Sequence, residues 1–478
     1  MRKIFILTIV LVSVNLHLFG QSTPKHRLVV LTDIEADPDD AQTLIRLLLY
    51  SNEIDIEAII ATTSVHQKSR VAPETIHEIL DAYGRVQPNL LLHHKDFPEA
   101  AHLKSLVSKG LPVYGMEGVG DGKDSEGSEL IIKILEKNDD RPVHVSVWGG
   151  PNTLAQALWK IRETRTKKEA EKLINKMMVY TISDQDDSGS WMRKEFPGLA
   201  YIVSPGSYAN ATWRAINQVV EGIDNTTISN EWLATNIQQG HGPLGSLYPD
   251  VAYGLEGDTP SWLNVIPNGL NNPEHPDWGG WGGRYELYTP EFQGNSDSRF
   301  TGGVPMEPET RPIWTNAEDT FSPRVFNQYG RAIRKDTVAF SDNFVTLWRW
   351  RDDFQNDFAA RMDWTVKNFE NANHPPVPAL GHPDKFTVKS GEVFSLDASG
   401  TYDPDGDNLS YWWFQYKEVG SYQKDIDFRP YSENLYNVHT IEAPVVQKPE
   451  TVHFILRVTD KGTPALSRYK RVIVTIVP

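Results

Sequence analysis

The chain is predicted to fold as a mostly parallel α/β sheet flanked by helices, followed by a small all-β sandwich of the immunoglobulin-like kind. Three observations carry this. Apolar strand-like runs alternate with helix-periodic segments from residue 27 to about 182, a Pro- and Asn-rich stretch interrupts the chain at 371–383, and beyond it the apolar period shortens to two.

In order, 27–32 reads as a buried strand and 41–50 as a helix with Leu44, Ile45, Leu47 and Leu48 at helical spacing. Strand 56–60 and helix 73–83 follow, the latter with Ile76, Ile79, Leu80 and Tyr83, then strand 90–92, helix 129–135, strand 143–148, helix 153–161 and strand 177–182. Such alternation places ligands beyond the carboxyl ends of the strands. Between 204 and 334 the pattern gives way to Gly-, Pro- and Trp-rich stretches, read as walls of a site because their aromatic content disfavours disorder. A helix is expected over 344–369, then strands at 386–388, 393–396, 409–416, 452–459 and 469–477. The resulting division is an export signal at 1–20, an α/β domain with long aromatic loops at 24–370, a linker at 371–383 and a sandwich at 384–478.

Met1, Arg2 and Lys3 precede an apolar stretch over 4–14, and Gly20 precedes Gln21. A basic start, a short apolar core and a small residue form a secretory signal, cleaved near Gly20/Gln21, so the protein is expected to be secreted or periplasmic. No later segment approaches the roughly 20 apolar residues of a membrane helix, so no membrane anchor is expected. The absence of cysteine excludes disulfides, thiolate metal sites and a Cys nucleophile. A net charge of −16 with no long basic run argues against nucleic acid as a partner.

The strongest chemical signal is Asp33, Glu35, Asp37, Asp39 and Asp40, five carboxylates within eight residues between a strand and a helix. Their mutual repulsion is costly unless cations or solvent absorb it, and hard oxygen ligands suit calcium, or another divalent cation. The plain alternative is a solvated loop in which Asp39 caps the helix.

This loop, with Ala41, resembles the N-terminal motif of the nucleoside hydrolases over roughly residues 27–265. The resemblance implies that Glu35 stands where the family has its calcium-binding general base, that Asp39 holds sugar hydroxyls and that Asp40 binds calcium. It implies further calcium ligands in the Trp148 carbonyl, before Gly149-Gly150-Pro151-Asn152, and in Asp258, and a ligand contact at His66. The layout of the whole chain resembles a narrower group of secreted bacterial proteins described as cellulose-binding, with Asp187 and the segment His275 to Arg284 among the group's motifs. The stretch Asp397 to Asp407 resembles a polycystic-kidney-disease type of module, in which Asp403, Asp405 and Asp407 either hold calcium or form a plain Asp-Gly turn.

The expected function is glycosidic cleavage in an extracellular polysaccharide or its oligosaccharides. Calcium would sit on Glu35, Asp40, Trp148 and Asp258; Glu35 or Asp33 would be the base, and loop acids or His275 would assist the leaving group. Asp39, His66, Asp187, Arg284 and the stacking residues Trp191, Trp278 and Trp281 would bind substrate. One alternative is a polysaccharide lyase, with the metal or Arg284 neutralising a uronate and His275 or Tyr285 as base. The other is a non-catalytic glycan-binding protein.

Overall fold

The computed structural model describes residues 24–204, 212–252, 254–291, 304, 307–323, 325–326, 332–333, 339–426 and 437–478. The export signal and its cleavage point lie outside the described residues.

Strands β1 (His26–Thr32), β2 (Ile54–Ala61), β3 (Val107–Lys109), β4 (Val143–Val147), β5 (Met177–Thr181), β6 (Ala200–Ile202), β7 (Tyr285–Tyr288) and β8 (Ile313–Asn316) form one sheet in the order β3-β2-β1-β4-β5-β6-β8-β7. All neighbours are parallel except β7 and β8. The chain winds outward from β1 to β3 and returns to β4 on the other side of β1. That reversal is the switch point where α/β sheets open a crevice for ligands. Along β1, Leu28 and Val30 enter one core with helices α1 (Asp39–Leu48) and α2 (Pro73–His93). Val29 and Leu31 enter the opposite core with α3 (Glu126–Glu136) and α4 (Asn152–Thr164). Burial on both faces explains the continuous apolar run.

Residues 90–92, expected as a strand, are the last turn of α2. Leu90 continues the buried stripe of Ile76, Ile79, Tyr83 and Val86, while Leu91 and Leu92 face solvent, so the period is helical. The edge strand is β3 instead. The helix expected over 344–369 is broken into Val345–Trp348 and Arg351–Asp363, with Trp350 at the break turned against Tyr416 and Tyr469.

Downstream, β13 (Lys385–Lys389), β15 (Ser410–Gln415), β17 (Glu450–Thr459) and β18 (Ser467–Val477) form a four-stranded sheet, and β14 (Val393–Asp397) pairs with β16 (Val438–Glu442); short pairs formed by β9 (Asp319–Phe321) with β12 (Phe340–Asp342) and by β10 (Val325–Phe326) with β11 (Ala332–Ile333) precede them. Alternation sorts the two faces of the larger sheet. Trp413, Phe454, Leu456, Val472 and Val474 fill the sandwich's own core. Phe414, Tyr416, Ile455 and Tyr469 join the core of the α/β domain.

The segment 371–383, expected as a linker, is tied to both of its neighbours. Asn373 and His374 in this segment are buried, Trp364 Nε1 donates to the Asn373 carbonyl at 2.9 Å, and His374 donates to Asp405. Asp403 meanwhile accepts from the backbone of Asp405 and Asp407, so this acidic stretch works as a turn and a tether. Ion pairs extend the seam: Arg468 with Asp357, Arg457 with Asp353, and Arg284 and Arg349 with Asp319, which also accepts from Tyr416. No helix among the described residues is long and apolar enough to cross a membrane.

Candidate carboxylate site at the strand ends

The register aligns Thr32 with Ala61, Leu31 with Val147, and Val147 with Thr181, so the loops after β1, β2, β4 and β5 emerge at one edge. Backbone bonds lock them together: Gly150 N donates to Thr63 O at 2.9 Å and Val65 N to Gln185 O at 2.7 Å. Asp33 lies directly against Gly149 across the switch point, and Asp186 against Gly150; a Cβ at either glycine would collide with the carboxyl. Glycine is required there for close approach.

Asp37, Asp39 and Asp40 bring carboxylate oxygens within 4.8 Å of one another at the start of α1. Asp40 accepts from Thr32 Oγ1, and Asp37 accepts from Asp39 N at 3.1 Å. Asp258 comes from the far segment 256–263, which is stitched to α1: Glu256 N donates to Gln42, Thr259 bonds Thr43, and Glu256 pairs with Arg46 at 3.0 Å. Asp258 is buried and its Oδ2 has no hydrogen-bond partner. Burial, and then the charges of Asp39, Asp40, Asp37 and Asp33, push its carboxyl well above the usual range. Asp40 is raised likewise by burial and by Asp33, Asp39 and Asp37. Asp33 rises to about 7, mainly through burial, despite a hydrogen bond from Ser64. The like charges and the orphaned oxygen fit a hard divalent cation held by oxygen donors.

The other expected residues divide sharply. Glu35, at φ 80°, turns its carboxylate out of the cluster toward Arg70 and Thr75. The Trp148 carbonyl stands at the strand end but accepts from Gln185 Nε2. His66 is exposed at the rim; partial desolvation of its ring by the neighbouring loops lowers its pKa while Asp37 opposes this. Asp187 accepts from Met116 N at 2.8 Å against Gly115. Trp191 packs between Phe196 and the Arg162 guanidinium.

Four assignments in the Trp-rich loop are corrected. Trp281 is fully buried, donating to Tyr469 OH, so it cannot stack on a sugar. Arg284 is buried in its pairs with Asp319 and Glu286, and Tyr285 is buried against Tyr180, which leaves neither free for lyase chemistry. His275 stacks on Trp278 at 3.9 Å, and its neighbour Glu274 acts on His26, at the starting end of β1. A seven-residue strand, about 20 Å long, separates that end from the acidic loop. Of the stretch 204–334 expected to wall the site, the part over 275–284 lines the domain seam, while the segment 254–263 packs against the site.

Sequence reasoning counted Asp37 in the acidic cluster but gave it no role of its own as a ligand, and it gave none to Asp186. Asp186 is buried, accepts from Ser188 N at 2.8 Å and Asn152 N at 3.2 Å, and is raised to about 7, mainly by burial. The available signal was the Gly149-Gly150 pair at the end of β4, which marks a close approach by other groups there.

Two family models match this chain: "Cellulose-binding Sde182, nucleoside hydrolase-like domain" over residues 27–285, and "Cellulose-binding protein Sde0182, C-terminal domain" over residues 393–476. A solved structure of a nucleoside hydrolase-related hypothetical protein from Saccharophagus degradans, described as associated with carbohydrate metabolism, is 34% identical, with a TM-score of 0.77, covering 95% of this chain and 100% of that one. The effector protein XOO4466 matches at 10% identity and a TM-score of 0.28, over 61% of this chain and 87% of its own, too weak to carry an argument. No curated protein matches.

Proposed function

This chain belongs to the Sde182 family of cellulose-binding proteins with a nucleoside hydrolase-like domain, and from that premise we propose that it is an exported carbohydrate-active enzyme hydrolysing glycosidic bonds in a polysaccharide or its oligosaccharides. The observation that carries this reading is the convergence of Asp33, Asp37, Asp39, Asp40 and Asp258 at the switch point, with Asp258 Oδ2 unpartnered. Asp37, Asp39, Asp40 and Asp258 would hold the ion, calcium first, which when bound supplies charge neutralisation and an anchor for sugar hydroxyls. Asp33, held against Gly149, takes the proton of the attacking water. Asp39 orients sugar hydroxyls, and His66 at the rim exchanges a proton with the leaving oxygen.

Product analysis by mass spectrometry on neutral and uronic-acid polysaccharides, with and without a chelator, tests this. Hydrolysis adds one water to the summed product mass and stops on chelation. Asp33→Asn is expected to lower turnover by about 10² to 10⁴ with binding retained. Products without added water would overturn the reading.

A second reading, non-catalytic glycan binding, is favoured by one observation: the carboxylate at the family's base position, Glu35, is engaged by Arg70 and Thr75. Retained binding with no product across the panel would decide for it.

A further inference from the structure

We propose that the cleft between the loop 269–278 and the β13–β18 edge of the sandwich is a second saccharide site, specific for an acidic sugar whose carboxylate or sulfate sits among Lys385, Lys470 and Arg471. The cleft has a volume of about 510 Å³, and Trp278, Asn272, His382 and Asp384 complete its polar and aromatic wall. That volume lies in the range of ligand pockets, roughly 300–1,000 Å³.

Among the described residues, three cations meet in this cleft with no carboxylate within ion-pair distance; Asp277 acts on Arg471 without pairing with it. Elsewhere along the seam, Arg284, Arg349, Arg457 and Arg468 each meet a carboxylate. Arg471 is buried and holds three carbonyls instead: Leu270 at 2.8 Å, Trp278 at 3.0 Å and Gly279 at 3.1 Å. Its Nε has no partner, nor does His382 Nε2. Among the described residues, neither Arg471 nor Lys385 nor Lys470 forms an ion pair. The guanidinium of Arg471 and the ammonium of Lys385 each lie 5.5 Å from the Trp278 ring centre.

His453, beneath Trp278, is pushed down to about 3 by burial and by Arg471, His275 and Lys385. Asp384 is the carboxylate in the lining, one acid against three cations in a chain whose net charge is −16. A buried cation without a counter-charge is expensive, and an incoming anion relieves that cost. Amide and carbonyl groups beside the cations suit hydroxyls, which makes an acidic sugar a better occupant than a bare ion.

The test is calorimetric titration of the intact protein in chelator and low salt, so that the carboxylate site is silent. The ligands are an oligogalacturonate, a sulfated oligosaccharide, a neutral cello-oligosaccharide and inorganic sulfate. At least one acidic oligosaccharide should bind, weakening at least about tenfold in the Lys385→Glu/Lys470→Glu double variant and in high salt, with the melting temperature unchanged. The acid that binds more tightly identifies carboxylate or sulfate as the group recognised. Equal affinity in the double variant, equal affinity for the neutral sugar, or binding of inorganic sulfate alone would overturn the proposal. Asp258→Asn should leave this binding intact, which separates its failure from failure of the carboxylate-site reading.

Discussion

At the domain seam, Asp319 lies between Arg284, Arg349 and Tyr416, and Asp357 lies between Arg361, Arg468 and Tyr50; at the mouth of the parallel sheet, Asp33, Asp37, Asp39, Asp40 and Asp258 lie among one another. Both regions bury charge. In the first, every carboxylate meets opposite charge and donors, and the arrangement holds two domains together. In the second, burial and like charge act in the same direction, and only added cations or protons relieve it. The difference teaches how to tell a structural acid from a functional one: by what neutralises it.

The comparison can be broken first at the seam. Asp319→Ala strands two guanidinium groups and a phenol in a buried setting, and should cost about 3–5 kcal/mol in denaturant unfolding. A loss below about 1 kcal/mol would remove the distinction. At the mouth the same kind of change should act in reverse. Asp258→Asn should leave the chelated protein no less stable, while abolishing the gain on adding calcium, about 2.7 kcal/mol at one hundred times the dissociation constant for wild type. Calorimetry with and without calcium reads both terms.

A pH titration sharpens the contrast. Asp186 keeps its proton to about pH 7 when folded, mainly because it is buried, whereas an unfolded Asp loses it near pH 4. The folded state binds more protons between these values, so stability falls as pH rises through that window. Asp33, raised to about 7 as well, adds to this slope, so chelated protein should lose at least about 2 kcal/mol between pH 5 and pH 8, and Asp186→Asn should lessen the slope without abolishing it. A slope of the opposite sign would show that the mouth is already neutralised. The smallest effect is expected at Glu35. Its exposed pair with Arg70 is worth at most about 1 kcal/mol, so Glu35→Gln should change stability and turnover little. A large loss of turnover in a stable Glu35→Gln protein would mean that the side chain swings inward to act.

The acidic loop was legible because strand, loop and helix are contiguous, and the order of apolar runs shows where the carboxyl ends of the strands gather. Asp258 was legible through family resemblance. The outward turn of Glu35 was not legible, because it depends on a left-handed backbone and on Arg70, neither of which a spacing pattern encodes. Trp281 and Arg284 were misread for a different reason: a Gly- and Trp-rich loop looks exposed until Tyr469 and Asp319 cover it. Residues 90–92 show the ambiguity of a short apolar run, which period alone does not assign.

Arg471 closes carbonyls that lie 201, 193 and 192 residues earlier in the chain. During synthesis the parallel sheet has all its strands long before this guanidinium exists, and the loop over 269–284 waits unclamped, with Trp281 uncovered until Tyr469 arrives. Contacts of such sequence separation form late and slowly. The order in which the ribosome delivers the parts therefore makes the last strand the step that completes the first domain, and the interval before it is when this chain most needs protection from aggregation.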